Sequence, residues 1–209
     1  MSERPQYASN RLGSAGREAI LTSNALLSGG SIIAPAVAAA TNFAQAAALC
    51  IVFSLVTYIT VAICSFVPRR IVYTVRIILY TLVASLVYVP VSILMENIMP
   101  ASYAALGIYA PLLITNSMIT LKTELKFYRL KRGYMLELAA LYVLGYDIAL
   151  MLFGIVREII TNGGLLGVSF IPLPIPTAST VFGGFILLAV MSALFRWIVG
   201  LLSKREQKT

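Results

Sequence analysis

Hydrophobic residues dominate six stretches of the chain, and polar or charged residues separate these stretches. The stretches run over residues 20–40, 41–67, 71–98, 104–120, 135–160 and 177–202. Each reaches the length of about 17–25 residues that a helix needs to cross a membrane. The pattern therefore predicts an all-α integral membrane domain of six transmembrane helices over residues 20–202, with polar tails at residues 1–19 and 203–209.

Two of the six stretches contain residues that weaken a helix. Gly29 and Gly30 interrupt the first stretch, and Gly107 and Pro111 interrupt the fourth, where three polar side chains follow in a row at residues 115–117. In lipid, such a segment is tolerated only where other protein surrounds it. Two weakened segments at corresponding places predict two inverted three-helix repeats, in which helices one and four are interrupted and frame a site at mid-depth.

Lysine and arginine lie almost entirely on one side of this arrangement. All but one of the 16 basic residues fall in the N-terminal tail, in the loops after the second and fourth stretches, or at the C-terminal end. The positive-inside rule then places both termini in the cytoplasm of a bacterial or archaeal cell. A bilayer thus accounts for the net charge of +8 without a nucleic-acid partner, and a content of 59% hydrophobic and 11% charged residues is wrong for a soluble domain.

The fifth stretch holds most of the charged residues at membrane depth. Asp147 lies near its middle and Glu158 near its outer end, 11 residues or about three turns away, so the two acids share a helix face. Asp147 is either a stop on an ion or proton path or a carboxyl that joins two helices by hydrogen bonds. Together with Asn116, these acids are the candidates for an ion path. Arg157 is interpreted as an anchor at the membrane interface.

Other catalytic chemistry has little support in the sequence. The chain has no histidine, and its two cysteines, Cys50 and Cys64, are 14 residues apart. On one helix this spacing corresponds to about 21 Å, which excludes a disulfide or a shared metal and suggests thiols that pack as small hydrophobic groups. The polar clusters at residues 28–31 and 115–117 either pack helices together or hold a cofactor or ion. We do not expect this chain to catalyse a reaction alone.

Two strings of residues resemble a known family. ALGIYAPLLITN at residues 105–116 and GIVREIITNGGLLG at residues 154–167 are similar to the small six-span subunits of the Rnf and Na⁺-translocating NADH:quinone reductase (Nqr) complexes. The predicted cytoplasmic N-terminus fits the RnfE and NqrD branch best. The resemblance implies a membrane subunit of an ion-translocating electron-transport complex, which pairs with a homologous six-span subunit and works beside flavin and iron–sulfur proteins.

The chain departs from this family at the cofactor positions. The family implies a [2Fe–2S] cluster held by four cysteines, one from each half of two paired subunits. By this resemblance the chain would carry two of the cluster cysteines, but Gly30 and Ser117 occupy those positions. Cys50 and Cys64 lie at other positions, which do not match the family's cysteines. Because glycine and serine cannot supply thiolates, we expect no cluster ligands and no other cofactor from this chain. A transporter or channel for a small solute or ion, and a purely structural assembly partner, are the alternatives.

Overall fold

Six helices make up most of the computed structural model, which describes residues 26–27, 33–67, 71–115, 132–165, 168–169 and 175–206. They are α1 (Ile33–Ala39), α2 (Phe43–Cys64), α3 (Tyr73–Ile98), α4 (Pro100–Leu106), α5 (Arg132–Asn162) and α6 (Val181–Glu206). In the described part of the chain, α2, α3, α5 and α6 are long and apolar enough to cross a membrane. They coincide with the second, third, fifth and sixth predicted stretches, whereas the first and fourth are described only in part.

The junction between α1 and α2 is built by its own side chains. The side chain of Asn42 accepts a hydrogen bond from the backbone N–H of Gln45 at 2.8 Å and so caps the start of α2. In return, the side chain of Gln45 accepts from the N–H of Thr41 at 3.1 Å and from its hydroxyl. This arrangement resembles a capping box, except that Gln45 reaches back to Thr41, one residue before the N-cap, and not to Asn42 itself. The chain therefore ends one helix and begins the next within a few residues.

The pair formed by α2 and α5 is the centre of the fold. The rings of Phe53 and Tyr146 pack between these helices with centroids 4.1 Å apart. Nearby, a Cβ atom added to Gly154 would lie only 2.5 Å from the Cβ of Ala46. Small residues at this crossing allow the two helix backbones to approach closely, as is typical of helix pairs in membranes.

The outer helices expose apolar side chains over most of their surface. α3 buries a single stripe, formed by Tyr80, Ala84, Val87, Val91 and Met95. α6 buries less, and Leu188 is the one large apolar residue among its described side chains that is fully enclosed. Apolar surface of this extent belongs in lipid or against another protein.

The interruption predicted in the fourth stretch is present in the structure. α4 ends at Leu106, Gly107 adopts a φ of 51°, and two 3₁₀ turns follow at Gly107–Tyr109 and Pro111–Thr115. Glycine accepts this left-handed backbone at little cost, and proline cannot continue the helical hydrogen bonds. The first of these turns contacts α1, so the described parts of the two interrupted stretches meet. The predicted break at Gly29 and Gly30 lies outside the described residues.

The described part of the connection between α5 and α6 contains two short regular elements. A short antiparallel hairpin pairs Gly164–Leu165 with Val168–Ser169, and a 3₁₀ turn occupies Pro176–Ser179. Gly163, with a φ of 69°, allows the sharp exit from α5 that brings the chain into this hairpin. The 3₁₀ turn also shifts the start of α6 from the predicted residue 177 to Val181.

Candidate functional site

Asp147 lies at the middle of α5 and faces the middle of α2. Its Oδ2 accepts a hydrogen bond from the hydroxyl of Ser54, and its backbone carbonyl accepts one from the Sγ of Cys50 at 3.6 Å. Its Oδ1 is buried and has no hydrogen-bond partner among the described residues. A carboxyl group with one oxygen bonded and the other open can take up a proton or a cation, which suits an acid placed at this depth.

A stripe of small polar side chains on α2 continues this site. Cys50, Ser54 and Thr57 follow one another at helical spacing and share a face, and Thr57 is only 1% exposed. Thr60, one turn further, is fully buried, and its hydroxyl has no hydrogen-bond partner within the described part. This stripe is not among the sites predicted from the sequence. Its signal was the recurrence of cysteine, serine and threonine every three or four residues in an otherwise apolar helix.

Both cysteines are buried free thiols, as the sequence predicts. Cys50 packs against α5 and bonds to its backbone, and Cys64 lies near the far end of α2. The two thiols are too far apart along α2 to form a disulfide with each other. Among the described residues, no group of three or more histidine, cysteine, aspartate or glutamate side chains could hold a metal ion.

Arg157 has the most extensive set of polar contacts in the described part of the chain. Its side chain is 0% exposed, and each of its five N–H donors bonds to a backbone carbonyl. The acceptors are the carbonyls of Val37, Ala40, Ala178, Ser179 and Thr180. Two of them belong to the end of α1 and three to the turn that precedes α6. A cation is favourable at a helix C-terminus, because the last carbonyls of a helix carry partial negative charge.

Glycine at position 184 makes room for this guanidinium group. A Cβ atom added to Gly184 would lie 2.8 Å from the Nη2 of Arg157 and 2.9 Å from a methyl group of Val37. Any larger side chain at this position would push the guanidinium away from its carbonyl acceptors. The first turn of α6 is therefore shaped around Arg157.

Glu158 stabilises the start of α2, which follows directly after the end of α1 that Arg157 binds. Its Oε2 accepts a hydrogen bond at 2.7 Å from the backbone N–H of Phe43, the first residue of α2. Negative charge is favourable at a helix N-terminus. The geometry fits the interpretation of Arg157 as an anchor and adds that its side chain is buried in protein, where backbone carbonyl groups take the place of water around the guanidinium group.

Asp147 and Glu158 share a face of α5, as predicted, since both bond to α2. They do not form one site, because 11 residues separate them by about 16 Å along the helix. Glu158 holds the start of α2, whereas Asp147 lies beside the polar stripe near the middle. Asn116, Gly30 and Ser117, the other predicted site residues, lie outside the described residues.

The described part of the structure combines four long apolar helices, short helices in the interrupted stretches and a carboxyl group at the middle of α5. These features are those of an integral membrane protein with a few polar groups inside an apolar core. The family comparison then identifies it: the chain belongs to the Rnf-Nqr subunit family of membrane proteins, whose family model matches residues 14–201. The family resemblance stated from the sequence is therefore confirmed.

A bacterial relative supports the same assignment. The E subunit of the ion-translocating oxidoreductase complex from Glaesserella parasuis serovar 5 (strain SH0165) is 28% identical over 133 residues. The matched region covers 64% of this chain and 58% of the relative, so the chain spans little more than half of that protein's length.

Proposed function

We propose that this chain is a membrane subunit of an ion-translocating electron-transport complex of the Rnf or Nqr type. The observation that carries the proposal is the family match, which extends over residues 14–201. The name of the bacterial relative and the four long apolar helices agree with it. In this proposal the chain is one part of a translocase and catalyses no reaction alone.

The proposed topology has six membrane crossings, built as two inverted three-helix repeats with both termini in the cytoplasm. The contact between α1 and the turn Gly107–Tyr109 supports a packing of the two interrupted segments against each other. The one-sided distribution of lysine and arginine supports the orientation. The membrane is the cytoplasmic membrane of a bacterium or archaeon.

The chain is proposed to pair with a homologous six-span subunit, beside flavin and iron–sulfur proteins, without providing cluster ligands. The residues at the family's cysteine positions are Gly30 and Ser117, neither of which offers a thiolate. The cysteines that are present do not fit a cluster. Cys50 is bonded to the backbone of α5, and Cys64 is buried on the same helix, 14 residues further on.

Asp147 is the proposed residue that binds an ion or proton along the ion path, and Ser54 orients its carboxyl group. The open Oδ1 supports this role, because it leaves one carboxylate oxygen available inside the helix pair. Glu158 contributes to the same face of α5 and also fixes the start of α2. Asn116 completes the set of candidates from the central stretch.

Purification from native membranes tests the assembly. We expect an affinity-tagged chain, extracted in a mild detergent, to carry flavin-bearing and iron–sulfur subunits with it, as shown by mass spectrometry and visible absorption. After separation from those subunits, the chain is expected to contain no stoichiometric iron.

A gain-of-ligand variant is the matched control for the iron measurement. Gly30→Cys combined with Ser117→Cys restores the family's cysteine positions and is expected to raise the iron content of the purified complex. Stoichiometric iron in the separated wild-type chain would contradict the assignment of Gly30 and Ser117. A chain that purifies alone and moves a solute across liposomes would instead favour the transporter or channel.

A further inference from the structure

A cavity of about 260 Å³ lies between α6 and the described part of the first interrupted stretch. It is lined by Leu26, Leu27, Ile33, Phe185, Leu188, Ala189, Ser192 and Arg196. Five of these residues lie on one face of α6, from Phe185 to Arg196, so the cavity follows that helix for about 16 Å. The lining is apolar over most of this length.

The two polar side chains of the lining differ in their roles. Ser192 donates its hydroxyl to the carbonyl of Leu27, and this bond joins α6 to the first interrupted stretch. Arg196 is exposed and carries the only charge among the lining residues. The cavity thus has an apolar body and a cationic end.

Arg196 lies near the C-terminal end of the apolar span of α6. It is five residues, or about 7.5 Å, from Leu201, where that span ends, and a long arginine side chain near a helix end can extend its guanidinium group toward the lipid headgroups. The neighbouring Trp197 is 64% exposed, and tryptophan is enriched at the interface between membrane and water. Lys204 and Arg205 follow within the same helix and add positive charge beyond the apolar span.

An apolar groove that ends at a guanidinium group is complementary to an anionic amphiphile. Arg196 already has an interaction within the chain, but a guanidinium has five donors and can also hold a phosphate oxygen pair. A transmembrane helix is about 10–12 Å across, so a cavity of about 260 Å³ that extends along about 16 Å of α6 is far too small to hold one. An extended acyl chain is thin enough for such a cavity.

We propose that this groove binds one anionic phospholipid, with an acyl chain along α6 and the phosphate at Arg196. Such a lipid fills the space between the last helix and the first interrupted stretch, where Ser192 provides the direct bond. The site depends on the contacts between α6 and the first interrupted stretch, and it stands independently of the proposed role in electron transport.

Native mass spectrometry tests the site on the full-length protein, purified in a mild detergent with any subunits that accompany it. Added phosphatidylglycerol is expected to remain bound, and phosphatidylcholine is not. Arg196→Gln is expected to lower phosphatidylglycerol occupancy about fivefold, since one basic residue near a membrane surface contributes about 1 kcal/mol to anionic lipid binding. Ala189→Phe, which fills the groove, is expected to lower occupancy at least as much.

Two variants on the same helix serve as controls. Ala193→Phe adds the same bulk at an exposed residue that does not line the groove. This variant is expected to retain the lipid. Lys204→Gln removes a basic residue that lies beyond the apolar span and does not line the groove, so it is expected to lower occupancy less than Arg196→Gln. Equal binding of the two phospholipids, or wild-type occupancy in both Arg196→Gln and Ala189→Phe, would overturn the proposal.

Discussion

Replacing Arg157 with alanine is expected to lower the free energy of unfolding by about 3–5 kcal/mol, the range found when one partner of a buried charged network is removed. Five backbone carbonyls at the end of α1 and before α6 would lose their donor. Buried polar groups without partners are costly, and lipid supplies no water to replace the guanidinium. The thermal midpoint in detergent and the amount of protein in the membrane measure the effect.

Two variants separate the geometry of the guanidinium from its charge. Arg157→Lys keeps the charge, but an ammonium group has three donors on a flexible stem and cannot reach five carbonyls, so most of the loss is expected to remain. Arg76→Gln is the matched control, because Arg76 is half-buried and donates to the carbonyl of Ile71 at 3.1 Å. We expect it to cost about 1 kcal/mol. If Arg157→Ala lowered the free energy of unfolding no more than Arg76→Gln does, the bonds from Arg157 to the five carbonyls would not be what stabilises the end of α1 and the turn before α6.

Asp147→Asn is expected to weaken binding of the transported ion about tenfold or more and thereby to reduce ion uptake per transferred electron, because an interaction with a charged group contributes about 1.5–3 kcal/mol. Asparagine keeps the size of the side chain and an oxygen that can accept from Ser54, but it loses the negative charge. The thermal midpoint should therefore change little. Ion uptake and electron transfer are measured together with the complex in liposomes, which gives the number of ions taken up per electron.

Glu158, on the same face of α5, provides the contrast to Asp147. Glu158→Gln weakens the bond to the N–H of Phe43, so its expected effect is on stability more than on uptake. Ser54→Ala leaves the carboxyl group of Asp147 in place and is expected to reduce uptake only partly. Normal coupling in Asp147→Asn, with a modest loss of stability, would show that this carboxyl serves only to join α2 and α5.

The long helices could be predicted from the sequence because a membrane span is a local property. The stretch at residues 71–98 corresponds to Tyr73–Ile98, and the interruption at Gly107 follows from the backbone preferences of glycine and of Pro111. Each of these signals lies within a few residues of the feature it predicts. No knowledge of the helix packing was needed.

The contacts of Arg157 and Ser54 could not be predicted in this way. Arg157 bonds to the carbonyl of Val37, 120 positions earlier in the chain, and a backbone carbonyl has no sequence signature. Ser54 is a small polar residue in an apolar helix, and its partnership with Asp147 depends on α2 and α5 packing together. Such pairs become visible only when the tertiary arrangement is known.

The proposed function depends on six crossings with both termini in the cytoplasm, and labelling of single introduced cysteines tests this directly. Because Cys50 and Cys64 are buried, they can be replaced by alanine to give a background without reactive thiols. A membrane-impermeant maleimide is then applied to intact cells and to opened membranes, with one new cysteine in each variant.

The two sides of the membrane should give opposite results. We expect Asn97→Cys and Asn162→Cys to react in intact cells, whereas Asn10→Cys, Lys126→Cys and Lys208→Cys react only after the membranes are opened. Reaction of residue 10 from outside, or of residues 97 and 126 from the same side, would contradict the six-crossing topology.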